Sequence, residues 1–225
     1  MSHQTVIVLD FGGQYNQLIA RRVRECNVYC EVMPCTTPLS QLKAMDPIGI
    51  IFTGGPNSVY LDSSPHVDPE IFTWGVPILG ICYGCQLMAH TLGGQVTEAQ
   101  DDSAREYGKT QTYYDTTSPL FKGLPQEGIS WMSHGDYMAK VPDGFALTAH
   151  SDSCPNVAIA DEARGFYGVQ FHPEVNHTQH GIDMIHNFLY EVCRAKGDWT
   201  MEDYCRTAIA QIREKIGGGK VLLAL

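Results

Sequence analysis

Along residues 5–92, short runs of apolar residues alternate with segments in which apolar residues recur at helical spacing. The apolar runs predict buried strands at 5–9, 28–33, 49–53 and 76–81. The helical spacing predicts helices at 16–26, 38–45, 68–74 and 87–92. Because strands that alternate with helices are joined by right-handed crossovers, we expect an α/β fold. Its core would be a doubly wound, mainly parallel sheet with helices on both faces.

The pattern changes in the second half of the chain. Residues 96–171 carry short β runs separated by turn signals, and a hairpin is predicted from 156–160 and 165–171. Helical spacing then returns over 178–194. We therefore expect residues 1–196 to form one α/β domain with an added antiparallel β region.

The last segment, 197–225, has the pattern of a separate piece. Thr200 and Asp203 have the spacing of a capping box, and an apolar stripe follows from 204 to 216. Three consecutive glycines end this predicted helix, and 221–225 has the composition of a buried strand. We expect a linker helix followed by the first strand of a further, truncated domain.

Composition narrows the possible partners. The 225 residues are 44% hydrophobic, enough for a substantial core, and their formal net charge of −10 argues against a nucleic acid partner. No apolar run approaches the roughly 20 residues that cross a bilayer, so no membrane partner is expected. Eight cysteines lie at irregular spacings, without a disulfide pattern or a signal peptide, which favours a cytoplasmic location.

The sequence GICYGCQ, at 80–86, places a cysteine between a predicted strand and a predicted helix. Gly80 and Gly84 flank Cys82 at two residues on each side, an arrangement that permits a sharp turn and projects the side chain outward. The N-terminus of the following helix favours a thiolate over a thiol. Cys82 is therefore the predicted nucleophile.

A nucleophilic cysteine needs a base, and the base needs a group that orients it. His172 and Glu174 lie two residues apart in a predicted extended segment, so both side chains would project to the same side. A carboxylate beside an imidazole fixes its tautomer and stabilises the imidazolium. Attack on a carbonyl also needs oxyanion donors, for which the backbone N–H of Tyr83 and of Gly54 or Gly55 are candidates.

Cys82 and Cys85 also form a Cys-x-x-Cys pair, which supports a second hypothesis. A thiol–disulfide oxidoreductase would use Cys82 to attack and Cys85 to resolve the mixed disulfide. A histidine followed by proline and glutamate is not needed for that chemistry. No second Cys or His pair has convincing metal-ligand spacing, so no metal site is expected.

Several further segments resemble the class I (triad) glutamine amidotransferases. They are DFGGQY (10–15), QLIARRVRE (17–25), TGGP (53–56), WMSHGD (131–136) and FHPEV (171–175). The resemblance implies hydrolysis of L-glutamine to glutamate and ammonia. Cys82 would attack the carboxamide, His172 would shuttle the proton, and Glu174 would hold His172.

The resemblance also implies which residues surround the substrate. The amides of Gly55 and Tyr83 would hold the oxyanion. The substrate contacts would come from Gly54, Gln86, Ser133, His134, Gly135 and Asp136. An inactive glutamine-binding regulatory domain is the non-enzymatic alternative, and the complete triad argues against it.

In the members that these segments match most closely, an ATP-pyrophosphatase domain adenylates xanthosine monophosphate and aminates it with the ammonia. The resemblance implies that 220–225 begins that domain, so nucleotide amination is not expected from this chain alone. It implies no cofactor here, since ATP and magnesium would belong to the missing domain. Such a fragment would show either suppressed or uncoupled glutaminase activity.

Two features of the sequence leave alternatives open. Arg21, Arg22 and Arg24 form a basic helix face that would contact the missing domain or lie in solvent. Cys85 stands where the family usually carries methionine. It would pack as a small hydrophobic residue or form a disulfide with Cys82 under mild oxidation.

Overall fold

A computed structural model describes residues 3–98 and 105–222, and the strands within these residues form two sheets. The strands are β1 (Thr5–Asp10), β2 (Tyr29–Pro34), β3 (Gly49–Phe52), β4 (Ile78–Ile81), β5 (Gln95–Glu98), β6 (Glu106–Tyr114), β7 (Glu127–His134), β8 (Asp136–Lys140), β9 (Ala146–Ser151), β10 (Ala158–Asp161) and β11 (Phe166–Val169). The α-helices are α1 (Asn16–Glu25), α2 (Leu39–Ala44), α3 (Tyr83–Thr91), α4 (Gly181–Asn187) and α5 (Met201–Ile216).

The larger sheet has the strand order β2-β1-β3-β4-β11-β10-β9-β6-β7. The first five strands are parallel, and the pairs from β11 to β7 are antiparallel. Strands β5 and β8 form a separate antiparallel pair. The predicted doubly wound α/β fold is confirmed. Most of the antiparallel region is a continuation of the main sheet.

Helices cover both faces of the parallel part. Because side chains alternate along a strand, Val6 and Val8 face one side while Ile7 and Leu9 face the other, and all four are fully buried. Val6 and Val8 pack in one core cluster with α1 and α4. Ile7 and Leu9 pack in a second cluster with α2 and α3.

Three predicted helices differ from the structure, and one of them is α3, which begins at Tyr83 and not at residue 87. The segment 68–74 forms a short 3-10 helix, Pro69–Thr73, capped by the Asp68 side chain, which accepts the Glu70 N–H at 3.0 Å. The helix expected over 178–194 begins only at Gly181, since His180 has a left-handed backbone with φ of 59°. It continues as one π turn, Phe188–Val192.

Helix α5 is present but exposes the apolar stripe that predicted it. The Thr200 side chain accepts the Asp203 N–H at 3.1 Å, so the predicted cap is confirmed, and Gly217 ends the helix with φ of 55°. None of its residues is buried, and Ile212 is 56% exposed. The strand expected over 221–225 has no regular structure at 221 and 222, and 223–225 lie outside the described residues.

Within the part of the chain that the structure describes, no helix combines the length and apolar character needed to cross a membrane.

Candidate active site

Cys82 lies at the junction between β4 and α3, in a backbone conformation that L-residues rarely adopt. Its φ is 52° and its ψ is −109°. The flanking glycines have ordinary φ, so they supply room and not the turn itself. A Cβ on Gly80 would lie 2.6 Å from the Gly84 carbonyl oxygen, and one on Gly84 would lie 2.5 Å from the Phe52 Cβ. The sharp turn at Cys82 was predicted, but the strained backbone conformation is that of Cys82 itself and not of the flanking glycines.

The Cys82 side chain is enclosed by β7 and by the segment after β11. The residue is 7% exposed, and its N–H donates to the Val169 carbonyl at 2.8 Å. The sulfur lies 3.8 Å from the Ser133 carbonyl oxygen and 3.8 Å from Nε2 of Gln170. Cys82 is also the N-cap of α3, whose free N–H groups and dipole favour negative charge on the sulfur.

His172 and Glu174 follow β11, the strand next to β4. Nδ1 of His172 lies 2.7 Å from Oε1 of Glu174, and both side chains are almost fully buried. The His172 N–H donates to the Trp131 carbonyl at 3.0 Å, and its carbonyl accepts the Thr178 hydroxyl at 2.6 Å. These bonds fix the backbone of the segment, and the Glu174 carboxylate fixes the imidazole at Nδ1.

The electrostatics of the pair favour an imidazolium. Burial alone would lower the pKa of His172, but hydrogen bonds to Cys82 and Glu174, together with their negative charge, raise it to about 10. An imidazolium held between a thiolate and a carboxylate can donate a proton to a leaving group. A cysteine nucleophile requires such a proton donor for its leaving group.

A buried arginine on α1 supports the backbone of Glu174. Nε of Arg22 donates to the Glu174 carbonyl at 2.9 Å, and Nη2 donates to Asn176 Oδ1 at 2.6 Å. Arg22 is 8% exposed, so it belongs to this domain's interior and not to the basic surface suggested above. Arg24 donates to the Cys30 carbonyl, whereas Arg21 is well exposed.

Two cavities meet at Cys82. One, of about 220 Å³, is lined by Gly55, Pro56, Asn57, Ser58, Cys82, Tyr83, Gln86, His134, Gly135 and Asp136. The other, of about 280 Å³, is lined by Gly12, Gly13, Gln14, Tyr15, Gly54, Gly55, Pro56, Cys82, Ser133 and His172. The predicted substrate contacts are therefore divided, with Gly54 and Ser133 on the second side.

Gly54 and Gly55 lie where any side chain would collide with the site. A Cβ on Gly54 would lie 3.2 Å from Cε1 of His172, and one on Gly55 would lie 2.9 Å from the Phe11 carbonyl oxygen. Gly55 and Tyr83 line the first cavity together with Cys82. The residues of both predicted oxyanion donors therefore share a cavity with Cys82.

Gln170 joins the site and was not predicted. Its Oε1 accepts from Nε2 of Gln86 at 3.0 Å, and its own Nε2 is the amide nitrogen that faces the Cys82 sulfur. The same Gln86 nitrogen donates to the Asp136 carbonyl at 2.9 Å. Gln170 precedes His172 by two residues, so the alternation that paired His172 with Glu174 could have found it.

Cys85 is fully buried, and burial raises its pKa far above the usual thiol range. Its sulfur lies 3.9 Å from the Met138 sulfur, inside the second core cluster. A buried thiol with a raised pKa is inert, which argues against a resolving role in thiol–disulfide exchange. Within 3–98 and 105–222, no group of three or more His, Cys, Asp or Glu residues could hold a metal ion.

The comparison with known families agrees with this geometry. Residues 7–192 match the family model for glutamine amidotransferase class-I. The chain therefore belongs to the class-I glutamine amidotransferase family.

Its relatives include enzymes named GMP synthase [glutamine-hydrolyzing]. Those from Lachnospira eligens and Finegoldia magna are each 54% identical over all 225 residues, which span 42% and 44% of their lengths. The chain thus covers less than half of these relatives. Among solved structures, a Thermoplasma acidophilum protein assigned as a GMP synthase subunit is 29% identical, with a TM-score of 0.76 over 95% of this chain and 99% of that one.

A glutamine amidotransferase from Thermotoga maritima has the same fold, with a TM-score of 0.69 at 17% identity over 87% of this chain and all of that one.

Proposed function

We propose that this chain hydrolyses L-glutamine to glutamate and ammonia through Cys82, His172 and Glu174. The observation that carries the proposal is the strained cysteine that shares a cavity with a histidine whose Nδ1 lies 2.7 Å from a buried carboxylate. This constellation occurs in a chain of the class-I glutamine amidotransferase family.

In the first half of the reaction, the Cys82 thiolate attacks the γ-carboxamide carbon and negative charge moves to the carbonyl oxygen. The N–H groups of Gly55 and Tyr83 stabilise that oxyanion, and one such donor accounts for a factor of about 100–1,000 in rate. The His172 imidazolium gives its proton to the amide nitrogen. The C–N bond breaks, ammonia leaves, and a γ-glutamyl thioester forms on Cys82.

In the second half, the neutral His172 takes a proton from water, whose oxygen attacks the thioester carbon. The tetrahedral intermediate collapses with cleavage of the C–S bond, so the thiolate is restored and the γ-carboxyl of glutamate is released. His172 is again an imidazolium between two anions. Glu174 remains ionised throughout and stabilises that cation at each stage.

The two cavities suggest how the substrate is oriented. The cavity lined by Gln86, His134 and Asp136 is rich in polar groups, which suit the charged amino-acid end of glutamine. The second cavity is lined by His172, which would give its proton to the departing nitrogen there. Glutamine would therefore enter with its carboxamide at Cys82 and its α-carbon toward Gln86.

The longer relatives suggest the fate of the ammonia. We propose that an ATP-pyrophosphatase domain outside residues 1–196 adenylates xanthosine monophosphate and aminates it to GMP, with ATP and magnesium bound there. Under this proposal residues 197–225 are a linker helix and the start of that domain. The exposed apolar stripe on α5 fits a helix that contacts a second domain.

The test is glutamate release from L-glutamine by the wild type, Cys82→Ala and Cys85→Ala, with covalent labelling by the glutamine analogue 6-diazo-5-oxo-L-norleucine. Activity that is lost only in Cys82→Ala supports the proposal. Stoichiometric labelling of Cys82 without turnover supports a competent but suppressed site. Absence of both turnover and labelling in the wild type refutes the proposal and favours a glutamine-binding regulatory domain.

A further inference from the structure

A second histidine–carboxylate pair lies beside the proposed site but outside the triad. Glu106 on β6 and His134 on β7 are directly opposite each other in the antiparallel register. Oε2 of Glu106 lies 3.2 Å from Nε2 of His134, and both residues are 4% exposed. His134 lines the first cavity, whereas Glu106 does not.

The carboxylate of Glu106 is held from its other side by two hydroxyls. Ser151 and Ser153 each donate to Oε1 at 2.5 Å. Burial would raise the pKa of Glu106, but the hydrogen bonds from His134, Ser151 and Ser153 outweigh burial and lower it. Glu106 is therefore ionised at neutral pH, and its orientation is fixed by partners on β9 and on the turn that follows.

Both ring nitrogens of His134 face hydrogen-bond acceptors. Nε2 faces the Glu106 carboxylate, and Nδ1 lies 3.1 Å from the Asp136 carbonyl oxygen. The ring is therefore held at both nitrogens, by Glu106 on β6 and by the backbone at the start of β8.

The position of the cavity wall depends on this ring. The Asp136 carbonyl that accepts from His134 also accepts from Nε2 of Gln86, and Gln86 in turn holds Gln170 beside the Cys82 sulfur. Gly135 is the single residue between β7 and β8 at this wall. With no side chain of its own, it leaves the wall to be fixed by the hydrogen bonds of its neighbours.

We infer that Glu106 is a positioning residue for the amino-acid end of the substrate. It acts through His134, whose ring contacts with Glu106 and the Asp136 carbonyl hold the 134–136 wall and, through Asp136, the Gln86 side chain. The inference rests on the proposed glutaminase function. Loss of Glu106 would therefore impair recognition of glutamine-shaped molecules and leave the intrinsic reactivity of the Cys82 thiol intact.

The experiment compares two reagents that label Cys82. Iodoacetamide needs only a reactive thiol, whereas 6-diazo-5-oxo-L-norleucine must also be held by its amino-acid end. For Glu106→Ala we expect analogue labelling to slow by about tenfold or more, since small misplacements of a site have large effects on rate. The iodoacetamide rate should stay within about twofold of wild type, because the triad is not altered.

Two further variants make the comparison specific. Glu106→Gln has the same shape, can still accept from the serines through its carbonyl and can reach Nε2 of His134 with its amide, so it should restore analogue labelling to within about threefold of wild type. Glu127→Ala removes an exposed glutamate from β7 and serves as the control, with both rates unchanged. Thermal denaturation of each variant establishes that it is folded under the assay conditions.

The possible outcomes separate the two hypotheses. Selective loss of analogue labelling in Glu106→Ala, recovered in Glu106→Gln, supports the positioning role. An equal loss with both reagents, or no loss with either, overturns it while the glutaminase proposal stands. A wild type that reacts with iodoacetamide but neither reacts with the analogue nor hydrolyses glutamine overturns the glutaminase proposal itself, and the inference with it.

Discussion

The most direct test of the triad is neutralisation of its carboxylate by Glu174→Gln. The glutamine has the same shape, and its carbonyl can still accept from Nδ1 of His172, so the tautomer is preserved. What is removed is a full negative charge 2.7 Å from the imidazole, on a side chain with no solvent exposure. The substitution therefore tests chiefly the electrostatic contribution of Glu174, and the new amide nitrogen takes the place of Oε2, which has no hydrogen-bond partner among the described residues.

The expected effect follows from the pKa of His172. Its rise from 6.5 to about 10 corresponds to roughly 5 kcal/mol of preference for the imidazolium, shared between Cys82 and Glu174 and net of burial. An opposite charge at this distance contributes about 1–3 pKa units, so the pKa of His172 should fall by that amount in Glu174→Gln. His172 would then lose its proton at a correspondingly lower pH, so the rate of ammonia release should begin to fall at that lower pH.

The same shift determines how stability varies with pH. The folded protein raises the pKa of His172, so its stabilising contribution is complete below pH 6.5 and is lost as the pH rises through about 10. In Glu174→Gln this loss should end at a lower pH and be smaller by roughly 1–4 kcal/mol. Urea denaturation at a series of pH values measures the difference.

Carbon-13 labelling of the histidines allows the pKa to be measured directly by NMR, whether or not the chain turns over glutamine. The His172 resonance is assigned as the one lost in His172→Gln. Glu202→Gln, which removes an exposed glutamate from α5, is the control. If the pKa of His172 moves by less than about half a unit in Glu174→Gln, the carboxylate does not stabilise the imidazolium and the reasoning fails.

Three other substitutions test parts of the site. The effect of each on the reaction is measured as kcat for glutamine or as the rate of analogue labelling. Arg22→Met should lower the rate about 10-fold or more, because it frees the backbone carbonyl of Glu174. Arg21→Met, at an exposed position, should leave the rate unchanged. Equal effects of the two substitutions would contradict a specific role of Arg22 in holding Glu174. Gly54→Ala should slow the reaction about tenfold by displacing His172, while Gly218→Ala, in open space, should be neutral. Cys85→Ala should lower the free energy of unfolding by about 1 kcal/mol and preserve the rate; loss of activity would revive the redox hypothesis.

The chemistry carried by neighbouring residues was predictable from the sequence. Gly80, Cys82 and Gly84 form a local motif, and His172 and Glu174 are two residues apart, so short-range geometry brings each set together. The hairpin of β10 and β11 was found for the same reason. That Cys82 and His172 belong to one site was implied by the family resemblance, and the parallel pairing of β4 with β11 was learned only from the structure.

The groups that the sequence did not reveal depend on contacts between distant segments. Arg22 was taken as part of a basic helix face because nothing nearby in sequence shows that its guanidinium meets Glu174 and Asn176. Glu106 was not selected, since its partner His134 lies on another strand. Helix α5 shows the converse, because an apolar stripe predicts a helix without telling what, if anything, covers it.

The position of β11 also determines when the site can be assembled during folding. Strands β1 to β4 are joined by short crossovers and can pair early, whereas β11 reaches β4 only after the long antiparallel excursion of β5 to β10. Until then, β4 is an open edge, and its apolar side chains, which are buried in the complete fold, lie next to the nucleophile at its end. The nucleophile therefore lies on a strand that can pair early, but its base, His172, reaches it only in one of the last long-range steps of folding.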